Sequence, residues 1–143
     1  MATPVYGKQF IRFAETAFVP CDVAIDQFLL VTVDNAPAAT DPPTAAVAVG
    51  AGEIWGVMQQ RFNLCEPCNF ATDRLRLGTV ATSGLLLVAA DAANLQAQND
   101  ALLVDGQGRS SSAGAAVTVD ATTPIVRQQV TVGGVSMVLV SFN

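Results

Sequence analysis

At 143 residues the chain fits one domain, and a domain of this size buries roughly two-thirds of the surface that its unfolded chain exposes. Apolar residues make up 51% and charged residues only 13%, against about 25% in ordinary soluble domains, so the chain should fold and part of its surface should face another protein. The net charge is −5, Lys8 is the one lysine and the arginines are scattered, which excludes nucleic acid and anionic membranes as main partners because both demand clustered cations.

The predicted elements are short strands. The first 20 residues carry Tyr6, Phe10, Phe13 and Phe18 at a spacing that fits neither a period of two nor a helix. They read either as a first strand whose aromatics enter the core or as an arm that orders only on a partner. Phe28 to Val33, Ala45 to Val49 and Ile54 to Met58 are β-branched or alternating, and the Pro-rich Asp34 to Pro43 is a loop between two of them. Arg74 to Leu77 alternates charge with leucine, the mark of a strand with one wet face, and Leu85 to Val88 is apolar enough to be buried on both faces. Asp91 to Asp100 is the one stretch with helical character, because Asp91 can cap and Ala, Leu and Gln propagate. Ala101 to Val104, Ala116 to Val119, Ile125 to Val132 and Val135 to Phe142 complete the strands. Turn signals separate them at Gly50-Ala-Gly52, Ser83-Gly84 and Asp105-Gly-Gln-Gly108. Gly133-Gly134 suits the positive φ of both central positions in a type I′ hairpin. Strands this short, with this punctuation, predict a sandwich or barrel.

No run reaches the 18 or so apolar residues of a membrane span; the best, Gly84 to Ala90, is halted by Asp91. Charges at Lys8 and Arg12 interrupt any secretory apolar region, so the expectation is a protein made in the cytoplasm, or one whose signal has been removed.

The chain has no histidine, which excludes Ser-His-Asp and Cys-His catalysis. Carboxylate chemistry survives in principle, but the acids sit mostly in turn positions beside Gly, Pro or Asn, where capping and solvation explain them. Cys65-Glu-Pro-Cys68 admits a redox dithiol or half a zinc site. Its Asn and Pro neighbours make it a turn instead of a helix start, and Cys21 supplies only a third ligand. Buried or incidentally bridged thiols in a tight loop are the reading preferred, and three cysteines are not a disulfide framework. Gly50-Ala-Gly-Glu-Ile-Trp-Gly56 resembles a dinucleotide fingerprint in part, but a strand instead of a helix follows it, so a hairpin turn is expected. Asp105 to Gly108 lacks the alternating acids of a calcium loop and reads as a turn. The residues therefore predict no catalytic group, no cofactor and no metal.

Three segments in order, Ile54-Trp-Gly-Val-Met58, Leu77-Gly-Thr-Val-Ala-Thr-Ser-Gly-Leu-Leu-Leu-Val88 and Asn99-Asp-Ala-Leu-Leu-Val-Asp-Gly-Gln-Gly-Arg109, followed by the closing strand Val135 to Phe142, resemble the capsid cement or head decoration proteins of tailed bacteriophages. The likeness covers Ile54 to Asn143; Cys65 to Cys68 and the long Asp34 to Gly52 segment have no counterpart in it. It implies an all-β fold, a small β-barrel or β-tulip-like domain, that binds the outer face of an assembled capsid in the virion. The partners implied are the major capsid protein and the chain itself, as a homotrimer. With the residue reading added, the expectation is an extended N-terminal arm over residues 1–20, a barrel-like domain over 21–143 with one short helix, and capsid contacts from Val5, Tyr6, Phe10, Ile11 and Phe13. Alternatives are a tail-tube or fibre-base domain, a carbohydrate-binding β-sandwich, for which one Trp and one Tyr are thin support, and an enzyme using carboxylate or Cys chemistry.

Overall fold

The computed structural model describes residues 9–34, 44–64 and 75–143. They form β1 (Phe10–Pro20), β2 (Leu30–Asp34), β3 (Thr44–Val47), β4 (Gly52–Glu53), β5 (Gly56–Met58), β6 (Leu75–Ala89), β7 (Leu103–Val104), β8 (Ala115–Thr118), β9 (Ile125–Val132) and β10 (Val135–Phe142). One sheet has seven strands in the order β1-β3-β2-β5-β6-β10-β9, with β1 also pairing β6; the second has the order β4-β8-β7.

The spine is β6, 15 residues long. Its first part runs antiparallel to β1, from Pro20↔Leu75 to Phe10↔Leu85. On its other edge it pairs β5 at Val80 and Ala81 and then β10 from Gly84 to Ala89. The sequence reading placed two strands here, separated by a turn at Ser83-Gly84. The chain instead runs straight through, with Gly84 at φ 125°. A Cβ at Gly84 would lie 2.1 Å from the Phe10 carbonyl oxygen, so this glycine serves close strand approach and not reversal.

The doubly buried run is as expected. Leu86 and Val88 point into the main core with Leu30, Val57, Leu102 and Val138, while Leu87 packs with Val130, Met137 and Leu139 on the opposite face. A further cluster, with Val19, Ile25, Val31, Met58 and Val80, fills the β1 end. Fully burying each such side chain is worth about 1.5–3 kcal/mol, so these clusters carry most of the stability. Around Arg76 the expected wet face is reversed: Leu77 is 65% exposed and Arg76 turns inward.

The all-β class holds, but two finer expectations do not. The sheets do not close into a barrel, because β9 remains an edge strand and the smaller sheet stays separate. The physical reason lies in β6, whose second half has apolar side chains on both faces and is covered from both sides. No helix occurs among the described residues. At Asp91 to Asp100 the would-be capping acids close local turns. Asp91 accepts from the Ala93 amide and the Asn94 side chain, Asp100 accepts from the Ala97 amide, and Asn99 sits at φ 72°. Gln96, 1% exposed, serves Ala101 O, Leu103 N and the Ser110 hydroxyl. Two or three helical turns are marginal alone, and this buried network outweighs them.

The Gly133-Gly134 hairpin forms as predicted, with φ 58° and 81° between Val132 and its partner Val135. The Gly50 to Gly56 segment has no helix, but it is not a hairpin either: β4 leaves β3 and pairs β8 in the other sheet.

Candidate docking edge and the trough beside it

From Phe10 to Thr16 every residue of β1 is exposed, whereas Ala17 and Val19 are fully buried. The strand is anchored by its C-terminal half and held along β6 by ladder pairing alone in its N-terminal half. Phe10 is 68%, Ile11 42% and Phe13 63% exposed, and the Arg12 guanidinium lies 5.8 Å from the Phe13 ring centre. Register shifts between Ile11 and Phe13 and between Phe13 and Ala14 mark bulges where the strand bends. Among the described residues the other edge of β1 is paired once, Phe18 with Thr44 of β3. Of the five expected contact residues, Phe10, Ile11 and Phe13 are thus brought together on one exposed edge; Val5 and Tyr6 lie outside the described residues. Of the two readings of the N-terminal aromatics, residues 10–20 combine parts of each: a strand in the sheet, with its aromatics outside the core.

Beside this edge lies a trough of about 380 Å³, lined by Glu15, Thr32, Glu53, Trp55, Thr82 and Asp120 among others. The Trp55 indole N–H donates to Glu15 Oε2 at 2.6 Å, joining β1 to the residue just before β5. Glu53 Oε1 accepts from the Thr118 hydroxyl at 2.7 Å and from the Ala121 amide at 3.3 Å. Those bonds, the Thr118 hydroxyl foremost, hold the Glu53 carboxyl below its ordinary range. Asp120 and Ala121 form a two-residue turn closed by reciprocal backbone bonds between Val119 and Thr122, with φ 49° and 63°. Sequence reasoning missed this trough. Glu15 is 40 residues from Trp55 and Glu53 is 65 from Thr118, and neither pair carries a local signature.

The remaining motifs are structural. Asp105 accepts from Gln107 N, Arg109 N and Arg109 Nε, which makes Asp105 to Gly108 the expected turn. Cys65 and Cys68 lie outside the described residues, while Cys21 is disulfide-bonded, a bridge that the odd cysteine count had not led the sequence reading to expect. Among the described residues no group of three or more Cys, Asp or Glu is placed to hold a metal ion. Comparison with protein-family models, with curated proteins and with solved structures finds no match to this chain.

Proposed function

We propose that this chain is a non-catalytic virion protein that binds the outer surface of an assembled phage capsid and bridges neighbouring major capsid subunits, acting as a homotrimer. The observation that carries the reading is the exposed apolar edge of β1, with Phe10 and Phe13 each more than 60% exposed. Large side chains held in solvent by a regular strand favour burial against a partner. A strand whose outer edge has little pairing is suited to strand addition. The resemblance over Ile54 to Asn143 names the partner, and a β-tulip kinship belongs to the same proposal. A repeated lattice favours such a design, because a trimer engages several sites at once and modest contacts sum by avidity. Binding only the expanded shell stabilises that state by linkage.

The test is co-pelleting with expanded phage capsids. The chain should pellet as a trimer, and Phe10→Ser/Phe13→Ser should weaken binding at least about tenfold, roughly 1.4 kcal/mol. Deletion of residues 2–13 should abolish binding and leave a folded domain, because it removes only the exposed half of β1 and spares Ala17 and Val19. Full binding by the truncated chain would end the proposal. A stable ring of six or more subunits would point instead to a tail-tube component.

A further inference from the structure

The trough beside β1 combines three features. It is concave, with a volume of about 380 Å³. Its lining includes Trp55, the one tryptophan of the chain. Its lining side chains also include Glu15, Glu53 and Asp120 and no lysine or arginine, so three of the chain's twelve acids converge on one aromatic-lined recess. Glu15 and Glu53 are fixed in place by the Trp55 indole and by Thr118 and Ala121, and each uses a single oxygen in those bonds. The Asp120 carboxylate accepts no hydrogen bond among the described residues and stands on a turn held by Glu53. Arg12, the nearest cation of β1, lines the adjoining recess with Phe13 and Asn143 and not this one.

We propose that this trough binds an organic cation, a guanidinium or alkylammonium group, beside the Trp55 indole. A tryptophan face attracts such a cation through its quadrupole. The unused carboxylate oxygens accept its N–H groups, and a guanidinium, with five donors in a planar fork, meets several acceptors at once. The recess focuses the negative potential that draws the cation in. A neutral polar ligand would use the ring and the threonines but gain nothing from the converging charge. The inference is independent of capsid binding, since every residue it uses belongs to one chain. The same chemistry can be supplied by an arginine side chain of a partner protein or by a free polyamine.

Because Trp55 is the sole tryptophan, its fluorescence and its indole N–H resonance report this site directly. The full chain is titrated with N-acetyl-arginine methylamide, with spermidine, with methyl glucoside and with potassium chloride at matched ionic strength. The expected result is a saturable Trp55 response to one or both organic cations and none to the glucoside or the salt. Preference for the arginine derivative identifies a partner side chain as the source, and preference for spermidine a free polyamine. Asp120→Asn is tolerated by the left-handed backbone and should weaken binding several-fold; with Glu15→Gln added, the loss should reach about tenfold. No saturable response to either cation, an equal response to potassium chloride or to the glucoside, or unchanged affinity in the folded double variant would overturn the proposal.

Discussion

Arg76 shows how a single side chain can be misread from its neighbours. In Arg74-Leu-Arg-Leu77 the charges should face water, yet the Arg76 guanidinium donates to the carbonyls of Pro20 and Val23, each at 2.7 Å, and to that of Asn63. It also lies 5.0 Å from the Phe62 ring centre. One planar fork thereby ties the end of β1, the turn holding Cys21 and the chain after β5. Arg76→Ala should destabilise the fold by about 2–3 kcal/mol, and Arg76→Lys by about half as much, since an ammonium cannot fork across several carbonyls. Urea titration measures both, and a neutral Arg76→Ala would refute the clamp. The acids give a second residue-scale expectation. Asp91 is held below its ordinary 3.8, chiefly by the Asn94 side chain and the Ala93 amide, and Glu53 below 4.5 by Thr118 and Ala121. A depressed folded pKa means a stabilising contribution present above the unfolded value and lost as pH falls through the folded one. The midpoint of thermal unfolding should therefore fall on acidification below these values. Asp91→Asn/Glu53→Gln should lose less between neutral pH and pH 3 than the wild type, and parallel curves would contradict the assignment. Phe28 is the strained counterpart. It holds φ 69° because its amide donates to Met58 O, its carbonyl accepts from Ala89 N, and its ring packs against two apolar clusters.

Among the elements, β1 and β6 together decide where the exposed aromatics sit. Their antiparallel ladder continues beyond the core, so that Phe10 to Thr16 is displayed without a packed face of its own. Gly84 is the contact that permits this, since any Cβ there would press on the Phe10 carbonyl oxygen and meet the Arg12 amide nitrogen at 2.8 Å. Gly84→Ala should detach residues 10–13 from β6 while β10 keeps its pairing. The expected sign is loss of amide-exchange protection confined to the start of β1, with a stability cost of about 1–3 kcal/mol. Protection unchanged at Arg12 and Phe13 would show that the ladder yields by some other adjustment.

For the molecule as a whole, β6 supplies side chains to all three apolar clusters: Val80 to one, Ala81, Leu86 and Val88 to the largest, and Leu87 to the third. Clusters that share a strand cannot dissolve one at a time. Unfolding in urea should be a single transition, with Trp55 fluorescence and far-ultraviolet circular dichroism coincident at one midpoint. Two resolved midpoints would mean that the cluster at the β1 end melts on its own.

The sequence by itself determined the all-β class, the ends of β9 and β10 and the glycine turn between them, and the double burial of Leu85 to Val88, because these rest on periodicity and on backbone preference over a few adjacent residues. It also placed Phe10, Ile11 and Phe13 outside an ordinary core pattern, which is where β1 presents them. Only the tertiary structure decided that Ser83-Gly84 continues a strand, that Asp91 to Asp100 turns instead of coiling, that β4 crosses to a second sheet, and that Glu15, Glu53, Trp55 and Asp120 share one trough. Each of these depends on partners dozens of residues away: the Phe10 carbonyl over Gly84, the buried Gln96 network, β8 beside β4, and Glu15 on the Trp55 indole. Local propensities of a few tenths of a kcal/mol cannot encode such contacts, and burial and hydrogen bonding outweigh them once the chain is compact.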